Sequence, residues 1–244
     1  MADINASEGV KLQAYLAKAG IGSRRKCEEY ISEGRVTVNG ETIFKQGIRI
    51  TDEKVCFDGR AVHPAKKMIY IALNKPVRYL CTGSDPEGRK LAIDLVRKAW
   101  PGRIYNVGRL DYMSSGLIFF TNDGDFTKKI THPSSGIKKT YLVETREDIP
   151  KEMLEEWKKG VIVDGVNYRI EDYYLKMPKR VQLTLREGKN REIRNLFNSK
   201  RFKVKKLHRI RIGNISLGSL RSGEYRFLTE TEVKKLLKSG DRRK

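Results

Sequence analysis

The amino-acid sequence predicts an α+β fold, in which a small N-terminal helix–turn–helix and hairpin module precedes a larger domain built on a mixed, largely antiparallel sheet. Helical and strand-like periodicities are both present, but they do not alternate regularly as they do in a parallel α/β sheet. A polar segment containing Gly and Pro, residues 58–67, also separates two regions of different pattern. We therefore predict a module over residues 10–60, a linker over 61–67 and a second domain over 68–238.

The N-terminal module is expected to contain two short helices and a hairpin. Apolar side chains at residues 12–16 recur at helical spacing, and Gly20 closes this first helix. Ser23 is a good N-cap for the second helix, which is expected to end at Gly34. The dipeptide Asn39-Gly40 between short apolar runs predicts a tight hairpin. Further strands are expected at "IRI" and "KVCFDGRAV".

The second domain carries many strand-like runs with helical segments between some of them. At its end, Thr229 and Glu232 form a capping-box pattern, and Leu228 with Val233 a hydrophobic staple, so a final helix is predicted there. The segment "TNDGD" is interpreted as a polar turn rather than a calcium loop, since later acidic ligands are missing. The predicted strands are "MIYIAL", "GLIFFT", "TYLVET", "GVIVDGV", "VQLTL" and "RIRIGNISL", and the predicted helices are "AIDLVRKAW", "KEMLEEWKKG" and "REIRNLFNSK".

Charge points to a polyanionic partner. The 244 residues carry a net charge of +21, with 51 basic and 30 acidic side chains. Residues 1–60 are nearly neutral, whereas residues 176–221 carry 15 basic and 2 acidic side chains. Such clustering is self-repulsive without a polyanion, and nucleic acid is the commonest one. The alternative is a merely solubilising surface.

Several other classes are disfavoured. There is no apolar run long enough to span a membrane and no pattern of a secretion signal, so a cytoplasmic protein is expected. Cys27, Cys56 and Cys81 are odd in number and far apart, which favours reduced thiols over disulfides or zinc. The glycines of "GSDPEGRK" lack the Lys-Ser/Thr of a P-loop, and no G-x-G-x-x-G follows a strand. The three histidines are isolated, so no metal site is predicted.

One carboxylate stands out within "NVGRLDYMSSGLIFFTNDGD". Asp111 lies beside Arg109, in a run with no His, Cys or Glu, and an apolar core strand is expected directly after it. Two later segments offer partners: "KKTYLV" contributes Tyr141, and "EGKNREIRNLF" contributes Arg191 and Arg194 near one face of a helix. An ion pair with one of these arginines would lower the pKa of the acid and keep it ionised.

With these motifs in order, the sequence resembles the bacterial ribosomal RNA pseudouridine synthases that modify small- or large-subunit rRNA. The resemblance runs from about residue 10 to 237. It is carried by "NKPVRYLCTGSDPEGR", "VGRLDYMSSGLIFFTNDGD", "KKTYLV", "EGKNREIRNLF" and "GEYRFLT". The segment "KLQAYLAKAGIGSRRKCEEYISEGRVTVNG" resembles the RNA-binding domain named after small-subunit ribosomal protein four. Residues 10–60 would then be an RNA-binding module and 68–238 a catalytic domain.

The resemblance implies an isomerisation that needs no cofactor and no metal. Uracil is detached from its ribose, rotated and rejoined through a ring carbon. Asp111 matches the family aspartate, Arg194 the arginine that pairs with it, and Tyr141 the tyrosine that stacks on the uracil. Three roles of Asp111 are consistent with the sequence: attack on the anomeric carbon, attack on the uracil ring, or action as a base at the sugar.

The expected partner is ribosomal RNA or a ribosome assembly intermediate, bound by a monomer. The competing interpretations are a non-catalytic RNA-binding or ribosome-assembly factor on the same fold and a methyltransferase, against which the missing glycine-rich loop argues. The residues expected to contact RNA are Lys11, Arg24, Arg25, Lys26, Arg35, Arg89, Arg109, Lys139, Lys189, Asn190 and Arg191.

Two departures from the family pattern lie close to the predicted site. Arg78 stands in "NKPVRYL" where family members often have glycine, so we expect a turn that avoids a positive φ there. The pair Tyr112-Met113 replaces a commoner polar or acidic pair after Asp111. Both changes are expected to bear on which uridine is accepted.

Overall fold

The computed structural model describes residues 9–239. The chain divides after Met68 into two compact units, each with its own hydrophobic core. Among residues 9–239, no helix combines the length and apolar character needed to cross a membrane.

The first unit has the predicted helix pair and hairpin. Ser23 caps the second helix, since its Oγ accepts a hydrogen bond of 3.0 Å from the backbone N–H of Lys26. Asn39 and Gly40 adopt φ values of 50° and 91°, as a two-residue hairpin turn requires. The elements are β1 (Val10–Lys11), α1 (Leu12–Lys18), α2 (Arg24–Ser32), β2 (Val36–Val38), β3 (Glu41–Thr42), β4 (Arg49–Ile50), β5 (Val55–Phe57) and β6 (Arg60–Ala61).

The segment expected to be a linker starts differently in the structure. Arg60 and Ala61 form β6, which pairs with β5 through a tight turn at residues 58–59. Val62 continues the hairpin by donating its N–H to the carbonyl of Val55 at 3.0 Å. β6 lies within the strand segment expected at "KVCFDGRAV" and occupies the first residues of the segment expected to be a linker.

The second unit is built on a nine-stranded sheet. Its strands are β7 (Tyr70–Lys75), β8 (Tyr105–Val107), β9 (Ser115–Thr121), β10 (Lys139–Thr145), β13 (Asp172–Met177), β14 (Arg180–Leu185), β15 (Val204–Ile212), β16 (Ile215–Ser216) and β17 (Tyr225–Phe227), with a separate hairpin of β11 (Val161–Val163) and β12 (Val166–Tyr168).

The strand order in the sheet is β13-β14-β10-β15-β9-β7-β17, in which β16 also pairs with β15 and β8 with β9. All pairings are antiparallel except the one between β9 and β15, as the mixed, largely antiparallel prediction requires.

Both faces of this sheet are covered, which explains the continuous apolar run of β9. Ile118 and Phe120 belong to one buried cluster, whereas Leu117 and Phe119 belong to the other. A strand buried on both faces cannot show polar alternation. The helices of the unit are α3 (Gly124–Thr131), α4 (Lys151–Lys159), α5 (Glu192–Ser199) and α6 (Glu230–Ser239).

The second unit differs from the expected elements in three places. The segment "TNDGD" is not a simple turn, because Asp123 caps α3 by accepting hydrogen bonds from the N–H groups of Asp125 and Phe126. The segment "AIDLVRKAW" forms two 3₁₀ turns, at Ala92–Leu95 and Arg97–Ala99, rather than an α-helix. The strands β8, β13 and β17 were not predicted, since they are short or carry many polar residues.

The capping box at the start of α6 is confirmed. The backbone N–H of Thr229 donates to the Glu232 carboxylate at 2.9 Å, and the N–H of Glu232 donates to the Thr229 hydroxyl at 3.2 Å. Leu228 and Val233 are buried in the same cluster, as a hydrophobic staple requires.

Candidate active site

An open cavity of about 250 Å³ lies beside the central strands of the second unit. It is bounded by the loop 108–111, by β10 and β15, and by the segment 185–193 that leads into α5. Its polar lining includes Arg109, Asp111, Lys139, Tyr141, Glu187, Lys189, Arg191, Glu192 and Arg209. Most of the charge-bearing segments singled out in the sequence therefore meet at one place.

Asp111 is held by a short loop that runs directly into β9. The carbonyl of Asp111 accepts a hydrogen bond of 3.0 Å from the N–H of Ser114. Leu110 is buried on one side, and its N–H donates to Cys81 Sγ at 3.4 Å. On the other side, Tyr112 accepts the N–H of Arg78 at 2.6 Å. The backbone on both sides of the carboxylate is thus fixed by the fold.

The partner of Asp111 is Arg194, on the first turn of α5. Arg194 Nε lies 3.8 Å from Asp111 Oδ2. The Arg194 Nη2 group donates to the Met113 carbonyl at 3.0 Å and to Ser114 Oγ at 3.4 Å. The guanidinium therefore holds the loop as well as facing the acid. The exposed fraction is 13% for the Arg194 side chain and 33% for that of Asp111, so the carboxylate remains reachable from the cavity.

Burial lowers the pKa of Arg194, and the negative charge of Asp111 partly opposes this shift. Arginine still keeps its proton at any physiological pH. Arg194 Nε has no hydrogen-bond partner among residues 9–239. A cation that is partly desolvated in this way favours a neighbouring anion.

Tyr141 lies on β10 at the wall of the cavity and is 8% exposed. Behind it lies Arg209 on β15, which the sequence analysis missed. Arg209 is 4% exposed; its Nε donates to the Leu117 carbonyl at 2.7 Å and its Nη1 lies 3.4 Å from the Tyr141 hydroxyl. The basic stretch 176–221 hid this residue, because its periodicity alone did not distinguish an inward-facing arginine from its exposed neighbours.

A second missed residue is Lys75, at the end of β7 in the "NKP" segment. Its side chain is fully buried, and Nζ donates to the carbonyls of Pro76 and Tyr79 at 2.8 and 2.9 Å. Burial lowers the pKa of Lys75 to about 8, although the charges of Cys81 and Asp111 oppose the shift. The signal in the sequence was a lysine at the end of an otherwise apolar strand.

Two further ionisable residues line the cavity, the partly buried Lys139 and the buried Glu192. Burial lowers the pKa of Lys139 to about 8, and the cation of Arg209 adds to the shift. Burial also raises the pKa of Glu192, whose carboxylate accepts the N–H of Lys189 at 3.1 Å.

The residues predicted to contact RNA fall into distinct groups. Arg109, Lys139, Lys189 and Arg191 line the cavity, and the carbonyl of Asn190 accepts a hydrogen bond of 3.2 Å from the Asn195 side chain. α5 begins at Glu192, so Arg191 lies before the first turn, with φ 52°, rather than within the helix as expected. Arg89 is ion-paired to Asp85 at 2.6 Å and to Glu87 at 3.1 Å.

In the first unit, two of the residues predicted to contact RNA form ion pairs with nearby acidic side chains. Arg35 makes a two-point contact with Asp58, at 2.9 and 2.6 Å, and Lys26 pairs with Glu29 at 2.6 Å. Lys11, Arg24 and Arg25 are exposed and form no ion pair with any residue in the range 9–239.

The expectation that Arg78 avoids a positive φ is wrong. Arg78 adopts φ 63°, the left-handed conformation that glycine reaches without cost. The hydrogen bond from its N–H to the Tyr112 carbonyl, given above, holds this turn against the Asp111 loop. Tyr112 and Met113 themselves are 38% and 51% exposed, so the unusual pair faces solvent beside the site.

The buried Lys75 leads to a prediction about stability and pH. In the folded protein its pKa is about 8, whereas in the unfolded chain it keeps its ordinary value of 10.5. Between these two pKa values the unfolded state binds more protons than the folded state. The free energy of unfolding therefore increases, and the protein becomes more stable, as the pH rises. We expect wild type to gain about 2 kcal/mol relative to Lys75→Met between pH 7.5 and 10.

Urea unfolding of both proteins at several pH values measures this difference. Lys234→Met, which removes an exposed lysine of α6, serves as the control and is expected to follow wild type. A constant difference between wild type and Lys75→Met across this pH range would contradict the prediction.

Comparison with known proteins agrees with the geometry. A family model described as RNA pseudouridylate synthase matches residues 69–199, and one described as S4 domain matches residues 10–56. The chain is 37% identical to the "Ribosomal large subunit pseudouridine synthase B" of Bacillus subtilis, with 93% of this chain and 95% of the relative covered. It is 40% identical to an RNA pseudouridine synthase of Borreliella burgdorferi, over 93% and 92% of the two chains.

A solved structure titled "Crystal structure of pseudouridylate synthase" is similar to 93% of this chain and is itself covered completely. The TM-score is 0.69 at 27% sequence identity. The similarity therefore extends over both units of the chain.

Proposed function

Because the chain belongs to the RNA pseudouridylate synthase family, we propose that it converts a uridine of ribosomal RNA to pseudouridine through the carboxylate of Asp111. One observation carries the assignment of the residue. Asp111 is a partly exposed carboxylate at the wall of the cavity, 3.8 Å from a desolvated arginine cation. The name of the Bacillus subtilis relative supports large-subunit rRNA as the substrate.

The reaction exchanges one glycosidic bond for another. The N1–C1′ bond of the uridine breaks and a C5–C1′ bond forms, while the proton leaves C5 and N1 gains one, so that no atom is added or lost. Asp111 supplies the carboxylate for this exchange, either as a nucleophile towards the sugar or the ring or as a base at the sugar. In each of these roles, Arg194 supplies a positive charge that faces the carboxylate at 3.8 Å.

Tyr141 provides the surface against which the uracil is stacked. Its ring is at the cavity wall, and the Arg209 guanidinium carbon lies 5.9 Å from the centre of the ring. Tyr141 is thereby fixed from behind, which favours a single orientation of its ring and hydroxyl. The substrate nucleotide has to leave its stack to reach this site, which costs a few kcal/mol and least in loops.

The first unit, residues 10–60, is proposed to dock the RNA, with residues 68–238 carrying the chemistry. We also propose that the protein acts as a monomer in the cytoplasm, on free rRNA or on an assembling particle. Membership of an enzyme family, together with Asp111 and Tyr141 on one cavity and Arg194 paired with Asp111, favours this function over a non-catalytic RNA-binding or assembly factor.

The exposed arginines of α2 provide a test of docking. Arg24 and Arg25 lie in the first turn, where positive charge opposes the helix dipole, so Arg24→Gln with Arg25→Gln does not weaken the helix. We expect affinity for a substrate stem-loop to fall about tenfold at 0.15 M salt, and the salt slope to fall by about 1 to 2.

Filter binding over a salt series measures both quantities. Lys45→Gln with Lys54→Gln removes the same charge from the same unit and is the matched control. Equal losses in the two double variants would show that only net charge matters and would refute docking through α2.

The proposed function itself is tested with rRNA transcripts. Incubation with the protein should create a carbodiimide-sensitive uridine with no change in RNA mass, and a strain lacking the gene should lose the same modification. An added methyl group would instead support a methyltransferase. Unmodified uridines despite tight binding would support a non-catalytic factor.

A further inference from the structure

A second cleft, of about 350 Å³, is lined by Arg194 and shares Arg191 with the cavity that contains Asp111. Five cationic side chains line it: Arg146, Arg191, Arg194, Lys203 and Lys205. Its remaining lining residues are Asn198 and Val204, so no carboxylate from residues 9–239 lines this cleft. Here it is called the cationic cleft.

The sheet register and one helix create the cationic cleft. Thr145 at the end of β10 pairs with Val204 at the start of β15, so Arg146 comes out beside Lys203. Lys203 and Lys205 are two residues apart on an extended chain and therefore point to one side. α5 closes the cleft with Arg194 and Asn198, which are four residues apart on one helical face.

The charge in the cleft has little compensation from the protein itself. Arg146, Lys203 and Lys205 are exposed, and in the part of the chain that the structure describes they make no ion pair. The Glu147 carboxylate accepts a hydrogen bond of 3.4 Å from the backbone N–H of Lys203, but it does not pair with the Lys203 side chain. Cations gathered without counter-ions raise the potential of a concave surface and attract an anionic ligand.

Arg194 connects this cleft to the chemistry. It lines the cationic cleft, and its Nε faces Asp111 at 3.8 Å, although Asp111 itself lines only the first cavity. An anion in the cleft would therefore lie next to the guanidinium that pairs with Asp111. Planar guanidinium groups bind phosphate oxygens through two parallel hydrogen bonds.

We propose that the cationic cleft binds the phosphodiester backbone of the substrate RNA beside the uridine that reacts. This inference rests on the proposed function, because it takes the RNA as the anion. Phosphates held by Arg146, Lys203 and Lys205 anchor the chain next to the flipped nucleotide, whose base lies in the first cavity. The contact energy then offsets the cost of unstacking, and it does so through groups that carry no base specificity.

Lys203→Gln with Lys205→Gln tests the cleft without touching Arg194. We expect affinity for the stem-loop to fall about tenfold at 0.15 M salt, with the salt slope reduced by about 1.4, the value for two contacts to single-stranded phosphates. Lys234→Gln with Lys235→Gln, on α6, removes equal charge from exposed positions and should change the affinity less than twofold.

A methylphosphonate scan of the RNA locates the contact. Neutralising single phosphates of the stem-loop in turn should identify one or two, next to the reacting uridine, whose loss weakens binding to wild type about threefold or more. The same substitutions should have little further effect on the Lys203→Gln, Lys205→Gln protein, because the partner cations are already missing.

The outcomes separate this proposal from the proposed function. If the Lys203→Gln, Lys205→Gln protein kept the affinity and the salt slope of wild type, the proposal that RNA occupies the cationic cleft would be wrong. An acidic protein partner would then be the alternative occupant. A wild type that binds the stem-loop but converts no uridine would overturn the proposed function. In that case the salt slopes and the methylphosphonate scan would still decide whether RNA occupies the cleft.

Discussion

Asp111→Asn is expected to lower the rate of conversion at least ~10⁴-fold while leaving RNA affinity within about threefold of wild type. The amide has nearly the shape of the carboxylate, but it is neither a nucleophile nor a base. The loop should stay in place, because it is held by the backbone hydrogen bond from Ser114 and by the contacts of Arg194 with Met113 and Ser114 rather than by the Asp111 side chain. Binding and chemistry are therefore expected to separate in this variant.

Single-turnover conversion of a substrate stem-loop, followed by the carbodiimide-sensitive site, measures this loss. Asp164→Asn is a suitable control, because Asp164 is an exposed acid in the β11–β12 turn with φ 48°, a conformation that Asn also tolerates. This control should react like wild type. Normal turnover by Asp111→Asn would overturn the catalytic assignment, and a parallel loss of RNA binding would point to a structural role instead.

Gly116→Ala is expected to destabilise the second unit by about 4 kcal/mol or more. Gly116 has φ 106°, and a Cβ placed there would lie 2.2 Å from the carbonyl oxygen of Arg209 and 2.6 Å from its backbone nitrogen. These are backbone atoms of β15, so the clash cannot be relieved by a side-chain rotation. It is relieved only by separating β9 from β15 at their parallel pairing.

Gly136→Ala provides the matched control in the same unit. Gly136 also has a positive φ, 62°, but a Cβ there would meet no atom within 4 Å. Its substitution should cost only the conformational strain, about 1 kcal/mol. Urea unfolding compares the two variants, and protease resistance replaces it if Gly116→Ala does not accumulate in folded form. If the two variants were equally stable, the close approach of β9 to β15 at Gly116 would not be what makes Gly116→Ala destabilising.

The pairing between β9 and β15 also has a functional consequence. It aligns Ser115 with His208 and Gly116 with Arg209, so the strand that follows the Asp111 loop lies against the strand that carries Arg209. Since Arg209 in turn supports Tyr141, a separation of these strands would move the acid and the aromatic wall apart. We infer that Gly116 sets the distance between two halves of the site without touching substrate.

Local sequence patterns were sufficient for the elements that short-range physics controls. The Ser23 cap, the Asn39-Gly40 hairpin and the capping box of Thr229 with Glu232 all depend on hydrogen bonds between residues at most a few positions apart. The core strand after the Asp111 loop was equally clear from its apolar run. In the cap, the hairpin turn and the capping box, the residues that form the contact are neighbours in the sequence as well.

Patterns failed where the structure is stabilised by distant contacts. The 3₁₀ turns of "AIDLVRKAW" have the composition of an α-helix, yet they are incorporated into the core of the sheet as two separate turns. The strand β17 is short and half polar, and it exists because β7 supplies the hydrogen bonds. Arg78 takes a left-handed conformation that its own side chain disfavours, held by the carbonyl of Tyr112.

By itself, the sequence determined most of the elements, the basic charge of the protein and the three segments that bear Asp111, Tyr141 and Arg194. Only the tertiary structure decided how they act together: that Arg209 supports Tyr141, that Lys75 is fully buried, and that Arg194 pairs with Asp111 while lining a second cleft. The physical reason is the range of the interactions involved. Caps and turns are decided by neighbours, whereas burial, desolvation and strand approach depend on residues that only folding brings together.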